Sequence, residues 1–353
     1  MSSLYLMEQG LLIRQNGERL ILYRDKTAIA EVPLMKIERV VVFGHVHLTT
    51  GAISALLRHG IDTTFLSWHG RLKGRLVALE SKNIPLRLKQ YERAHDEAFA
   101  RELARRIVRA KVHSSLLVLR RYQRNHPEWS AEEAIAQLER TLQTLEQPQT
   151  LPSLRGLEER RFAACAPKRR GDTGPVSCLE GQAAAAYFQA YGSMFRRSLR
   201  FHKRSRRPPQ DPVNAALSLG YSLLFSEALA IVSSVGFDPY LGFFHAPEYG
   251  RCSLALDLME EFRAAIVDRL VLTLFNNEVL QPLHFTASES GVWFSVEAKK
   301  RFLREYEETM QRAFISRHTD HRTTFRRLLL GQAERLAQAI LHGEEYEPYI
   351  AEP

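Results

Sequence analysis

The chain has 353 residues, 45% of them hydrophobic, which is enough to bury a sizeable core and argues against a disordered chain. Its formal charge of +9 is compatible with a polyanionic partner without demanding one, since solvated basic surfaces also keep proteins soluble. Three irregularly spaced cysteines, Cys165, Cys178 and Cys252, suggest neither a disulfide framework nor a zinc ribbon. With a start, Met1 to Gln9, that lacks the basic-then-apolar design of a signal peptide, they point to a reducing cytoplasm.

Residues 1–82 read as a β-rich domain. Short apolar and β-branched runs recur at Leu11–Ile13, Leu20–Tyr23, Val40–Phe43, Thr63–Leu66 and Leu76–Leu79, each bounded by turn signals. Asn16-Gly17 between the first two favours a type I′ hairpin turn. A short helix is expected over Thr50–His59, capped by Thr49 or Thr50 and stopped by Gly60.

Residues 83–90 read as a linker, and 91–332 as a larger all-α domain, giving an α+β chain overall. Its first helix is expected over Leu88–Tyr122, with Arg101, Arg105 and Arg109 in one row that suits either a solvated face or a phosphate-binding ridge. A loop insertion is expected at about 152–178, where Lys168-Arg169-Arg170-Gly171 stands in a stretch without periodicity. Arg196, Arg197, Arg200, Lys203, Arg204, Arg206 and Arg207 crowd one segment, and their mutual repulsion favours contact with nucleic acid. Ala215–Phe237 has the length of a membrane span, but Glu227 and five serines make a buried core helix the better reading, with no membrane involved. The 333–353 tail, acidic from Glu344 to Pro353, is expected to fray.

From Ser253, Leu254, Leu258, Phe262, Ile266 and Leu270 form an apolar stripe at intervals of four, with Asp257, Glu260 and Glu261 beside it. Three neighbouring carboxylates repel unless a divalent cation or a basic residue stands among them. A short loop brings His245 back toward these carboxylates, and oxygen ligands with one imidazole suit magnesium or manganese. Glu180 precedes four consecutive alanines, whose small side chains let another helix approach closely; on spacing alone a capping or surface role suits this glutamate.

These segments together resemble the signature of the CRISPR-associated spacer integrases, the Cas-one family. The motifs that carry the resemblance occur in the family's order: Leu179-Glu180-Gly-x-Ala-Ala-x-x-Tyr187-Phe188, Asn214-x-x-Leu-x-x-Gly220-Tyr221, Gly236-x-Asp238-Pro239-x-x-Gly242-x-x-His245, and Ser253-Leu-Ala-x-Asp257-Leu-Met-Glu260-Glu261-Phe-Arg263. The resemblance implies an N-terminal β-sandwich-like domain for dimerisation and a helical catalytic domain. It further implies Mg²⁺ or Mn²⁺ held by Glu180, His245 and Glu260, with Asp257 supporting the site or replacing a ligand and Arg263 near the substrate phosphate. Family members often carry aspartate where Glu260 stands. The family's Leu-Arg-Gly element directly precedes its first catalytic glutamate, whereas here Leu154-Arg155-Gly156-Leu157-Glu158 is separated from Glu180 by the insertion, which makes Glu158 a rival ligand.

The implied activity is insertion of double-stranded DNA fragments into CRISPR repeat DNA by 3′-hydroxyl attack. The implied assembly has two homodimers flanking a dimer of a small ferredoxin-like adaptation partner, a heterohexamer. A branched-DNA repair nuclease without integration and a non-catalytic DNA-binding scaffold are the competing readings.

Overall fold

A computed structural model describes residues 2–79, 83–147, 174–196, 199, 201, 203–205, 208–316 and 320–351. The chain divides into two compact units, residues 1–81 and 82–353. The basic insertion, with Glu158, lies outside the described residues up to position 173, and so do Arg197, Arg200, Arg206 and Arg207.

Among the described residues the first unit holds two four-stranded sheets. In one, β1 (Ser2–Leu6), β5 (Ile37–Phe43) and β7 (Asp62–Leu66) run parallel, and β8 (Leu72–Leu76) closes the edge antiparallel to β7. In the other, β4 (Thr27–Pro33), β3 (Arg19–Arg24) and β2 (Leu12–Asn16) form antiparallel hairpins, with β6 (His47–Leu48) parallel to β2. Leu6, Val40 and Val42 of the first sheet join Ile13, Leu20 and Leu22 of the second in one buried cluster, which is the sandwich-like arrangement expected. Helix α1 (Thr50–Arg58) adds Ala52, Ala55 and Leu56 to it. The Thr49 hydroxyl caps α1 by accepting from the Ala52 N–H at 3.3 Å, and Gly60 follows with φ +63°.

Three local readings change. The last strand lies at 72–76, not 76–79, and Leu79 is fully exposed. The edge strand β8 carries Lys73 and Arg75, so it lacks the apolar run that betrays an inner strand. The β2–β3 turn is Gly17-Glu18, where only Gly17 has positive φ, so it is not type I′. The doubly left-handed geometry of type I′ occurs at the next turn, Asp25-Lys26, with φ of 45° and 73° on residues bearing side chains.

The second unit is helical, with two small hairpins, β9–β10 (Phe285–Ser288, Gly291–Phe294) and β11–β12 (Phe314–Ser316, His321–Thr323). The expected linker is helical instead: α2 (Ile84–His95) starts at the Asn83 cap and buries Leu86 and Gln90. The expected single helix is broken at Asp96, whose carboxylate accepts from the Ala98 and Phe99 N–H groups, both at 3.1 Å, and so starts α3 (Glu97–Asn125). Arg105 belongs to no surface ridge. It is buried, paired with Glu102 at 2.6 Å and bonded to the Leu145 carbonyl of α4 (Glu132–Glu146).

Helix α5 (Pro175–Ser193) packs against α3 and α4. Helix α6 (Pro212–Val235) is the apolar segment, started by Asp211 with Pro212 in its first turn and ended by Gly236 at φ +109°. It is apolar and long enough to cross a membrane, yet it lies mostly buried within the unit. Its central Glu227 receives hydrogen bonds from Arg326 at 2.9 and 3.1 Å, so the buried carboxylate is satisfied. At Gly220 a Cβ would stand 2.6 Å from Val267, so only glycine lets α6 come this close to the turn carrying Val267.

That turn explains the stripe. Helix α7 (Ser253–Glu260) is followed by a π-helical turn, Arg263–Asp268, and then by α8 (Arg269–Asn276). Residues at strict intervals of four drift by ~40° per step around an α-helix. One wide turn takes back part of that drift, and Leu254, Leu258, Phe262, Ile266 and Leu270 are all buried.

The tail expected to fray is docked. After α9 (Val296–Gln311) and α10 (Phe325–His342), Tyr346, Tyr349 and Ala351 are buried. The Glu261 carboxylate accepts from the Tyr346 hydroxyl at 2.5 Å, the Tyr349 N–H at 2.7 Å and Gln332 at 3.0 Å. Tyr349 stacks on Phe262 with centroids 4.8 Å apart, and the Ala351 N–H donates to Ser114 of α3 at 3.1 Å. Two tyrosine anchors outweigh the acidic composition.

Lys26→Gly is expected to raise the unfolding free energy by about 0.5–1 kcal/mol in denaturant titrations; no gain would mean the Asp25-Lys26 turn is unstrained. Burial pushes the Glu261 carboxyl up to about 7, against the lowering effect of its Tyr346, Gln332 and Tyr349 bonds. A folded pKa above the unfolded one makes the native state bind the proton more tightly, so this contribution favours folding in acid and is lost as pH rises toward 7. Wild-type stability should therefore fall between pH 5 and 8 by up to about 3 kcal/mol more than that of Glu261→Gln. Parallel pH profiles for the two proteins would refute this.

Candidate active site

The loop between α6 and α7 folds back so that His245 meets Asp257, one turn into α7. A Cβ on Gly242 would lie 2.8 Å from the Asp257 carboxylate, which is why the loop can close so tightly. Asp257 is fully buried. Its Oδ2 accepts from the Phe243 and Phe244 N–H groups at 2.6 and 3.0 Å, while Oδ1 accepts from the His245 N–H at 2.9 Å and lies 2.7 Å from His245 Nδ1. A carboxylate only accepts, so Nδ1 carries the proton and Nε2 of the neutral ring keeps its lone pair for a ligand or a proton. With four hydrogen bonds, Asp257 is a group that orients His245.

The two glutamates meet across a residue that motif and spacing did not single out. Lys111, on α3, places its ammonium in contact with Glu180 of α5 and 2.6 Å from Glu260 Oε2 at the end of α7. Glu260 Oε1 accepts from Arg263 at 2.7 Å. Oε2 is buried and receives no hydrogen bond of acceptable geometry, so its Lys111 contact is a close ion pair and not a directed bond. Burial alone would raise the Glu260 carboxyl, but the charges of Arg263 and Lys111, joined in acid by that of the protonated His245 ring, outweigh it and hold the group well below the usual carboxylate range. His245, 2.7 Å from Asp257, meets α7 one helical turn before Glu260.

No group of three His, Cys, Asp or Glu side chains stands ready to hold a metal among the described residues. The three expected ligands are thus brought into one region but not assembled into a cage, because the Lys111 ammonium lies between the two carboxylates. Their chemistry nonetheless fits a hard divalent cation: two carboxylates already drawn to one positive charge, and an imidazole whose Nδ1 is already fixed.

Arg263 is turned inward. Its side chain is 12% exposed, paired with Glu260, and lies 4.2 Å from the centroid of Tyr221. Arg204 lies 5.4 Å from the same ring and donates to Asn214 and Ser218 at 2.8 and 3.0 Å, so this member of the basic segment is also engaged within the fold. Arg196 and Lys203 are exposed. Tyr221 and Tyr187 both donate to the buried Asp268 carboxylate, the latter at 2.9 Å. Burial raises the Asp268 carboxyl, although bonds from Tyr221 and Tyr187 and the charges of Arg263 and Arg204 act the other way. Lys111, Glu180, Tyr187, Tyr221, Arg263 and Asp268 face one cleft. Lys111 and Asp268 were missed because each stands in the sequence as one charge among many on an amphipathic helix.

The family model for CRISPR associated protein Cas1 matches residues 4–165 and 168–308. A CRISPR-associated exonuclease Cas4/endonuclease Cas1 fusion from Geobacter sulfurreducens is 35% identical over 97% of this chain, which spans 58% of that longer protein. A CRISPR-associated endonuclease Cas1 from Thermus thermophilus is 32% identical over 98% of this chain and 96% of its own length. Among solved structures, a casposase bound to integration product shares the fold with a TM-score of 0.80 at 22% identity, covering 98% of this chain and 92% of the other. With a family model covering most of its length and a full-length relative above 30% identity, the chain belongs to the CRISPR-associated Cas1 family.

Proposed function

We propose that this chain is a metal-dependent DNA endonuclease and integrase that inserts double-stranded DNA fragments into CRISPR repeat DNA. The observation that carries the reading is the meeting of Glu180 and Glu260 around one cation, in the neighbourhood of an imidazole aligned by Asp257. Glu180, His245 and Glu260 would hold Mg²⁺ or Mn²⁺, which when bound polarises a phosphodiester and neutralises charge on its oxygens.

The chain's own residues do the rest. Asp257 fixes the imidazole so that Nε2 is available without reorganisation. Arg263, pinned by Glu260 and Tyr221, keeps the Glu260 carboxylate ionised and supplies positive charge beside the reacting phosphate. In the transfer, the fragment's 3′ oxygen forms a new bond to phosphorus and loses its proton. The repeat's own 3′ oxygen leaves and gains one.

The family resemblance extends the proposal to assembly as a homodimer and, with the small ferredoxin-like partner, as a heterohexamer acting in the cytoplasm without a membrane. The casposase likeness favours strand joining over simple branched-DNA cleavage, since that protein was captured with an integration product.

A labelled duplex with free 3′ hydroxyls, incubated with a supercoiled repeat plasmid, manganese and the partner, should be joined by the wild type and not by His245→Ala. Asp257→Asn should lower the rate about 10–100-fold. Cleavage without joining would replace the integrase with a repair nuclease, and DNA binding without turnover would leave a scaffold. Lys111→Met removes the ammonium that competes for the two carboxylates, so Mn²⁺ titration should show binding tighter by about tenfold, or ~1.4 kcal/mol. Unchanged or weaker Mn²⁺ affinity would mean that the ion does not share these carboxylates with Lys111.

A further inference from the structure

Between α6 and His245 the chain follows no helix or strand, so its backbone groups need partners from elsewhere. Helix α2, most of which the sequence suggests is a linker, supplies them. Asn83 donates to the Val235 carbonyl at 3.4 Å, Arg87 to the Gly236 carbonyl at 3.1 Å, and Gln90 to the Asp238 and Leu241 carbonyls at 2.9 and 2.8 Å. Gln90 Oε1 in turn accepts from the Asp238 N–H at 2.9 Å. The Tyr91 hydroxyl adds a bond to the Asp238 carboxylate at 2.5 Å. Gln90 is fully buried, and both its donors and its acceptor are used. Glutamate, lysine and methionine each lack part of that set.

This grip runs on into the candidate site. Leu241 is the last residue that Gln90 holds, and Phe243 is the first held by Asp257, through its N–H at 2.6 Å. Only Gly242 lies between them, packed so closely that a Cβ would stand 2.8 Å from the Asp257 carboxylate. Two residues beyond Phe243, His245 Nδ1 meets the same carboxylate at 2.7 Å. A backbone shift at Leu241 therefore passes to His245 through a segment with little room to absorb it. Asp257 can align the ring only if the loop delivers Nδ1 within hydrogen-bond distance.

We propose that Gln90 is a positioning residue for His245: by holding Asp238 and Leu241 it delivers the imidazole to Asp257 with Nε2 free. The placement of the ring stands on these bonds alone; its effect on DNA joining rests on the integrase reading.

The test uses two variants. Gln90→Met removes all three Gln90 bonds, whereas Gln90→Glu keeps an acceptor for Asp238 and has at most one proton to give, so it cannot hold both carbonyls. Each is compared with wild type by thermal melting, and by nitrogen NMR of histidine-labelled protein in chelator and mildly alkaline buffer, with the His245 signal identified by its loss in His245→Ala. Joining of the labelled duplex is then measured at a temperature where all are folded. The wild-type ring should show one neutral form, protonated at Nδ1. Its signal should move toward a mixture of the two neutral forms in Gln90→Glu and further in Gln90→Met. In Gln90→Met, kcat should fall about tenfold with KM for the duplex unchanged.

Folded variants that keep the wild-type His245 signal would make Gln90 a structural residue and overturn the proposal, whatever their rates. Should Gln90→Met fail to fold, the same signal in Gln90→Glu decides the question. A wild type that joins no DNA would sink the integrase reading, while the histidine signal would still decide the positioning.

Discussion

Two carboxylates from different helices can share one small volume only if positive charge lies between them. In this protein Lys111 provides it, joining Glu180 of α5 to Glu260 of α7. The arrangement of the second unit follows from that constraint. α3 has to run beside both helices, small residues have to line the approach, and Glu260, almost without solvent, has to be held ionised by Arg263 from its other side. Arg263 is in turn set by Tyr221, and Tyr221 by Asp268 at the far end of the π-helical turn. The wide turn is thus the backbone device that presents one cation to Glu260 and one carboxylate to the tyrosines.

Much of this was legible in advance where side-chain type and spacing coincide with a physical need. The β-sandwich core, the buried character of α6 and the docking of His245 near α7 all follow from apolar runs, from a charged residue inside an apolar helix, and from a short glycine-bearing loop. Edge strand β8 was displaced because Lys73 and Arg75 interrupt its apolar pattern. The break at Asp96 carried a clear capping residue, but the apolar pattern continues across it, and periodicity dominated the reading.

The site itself was half legible. Glu180, His245 and Glu260 came through resemblance, and their meeting in one region fits the roles the resemblance implies. Lys111 and Asp268 had no local mark, since a buried charge is recognised only by what lies opposite, which is a property of the tertiary fold. Arg204 shows the limit of charge as a signal: a basic residue in a basic neighbourhood invites a nucleic-acid role, yet its guanidinium is turned toward Tyr221, the ring that also sets Arg263.

The docked tail has a consequence for biogenesis. Tyr346, Tyr349 and Ala351 bind α7's end and α3 at once, so the distance between the helices carrying Glu260 and Lys111 is set by residues synthesised after all the helices. A ribosome that stalls or terminates before Tyr346 releases a chain with every proposed ligand but with Glu261 buried and short of its phenol donor. Such fragments would carry the proposed ligands without the tail contacts that join the end of α7 to α3.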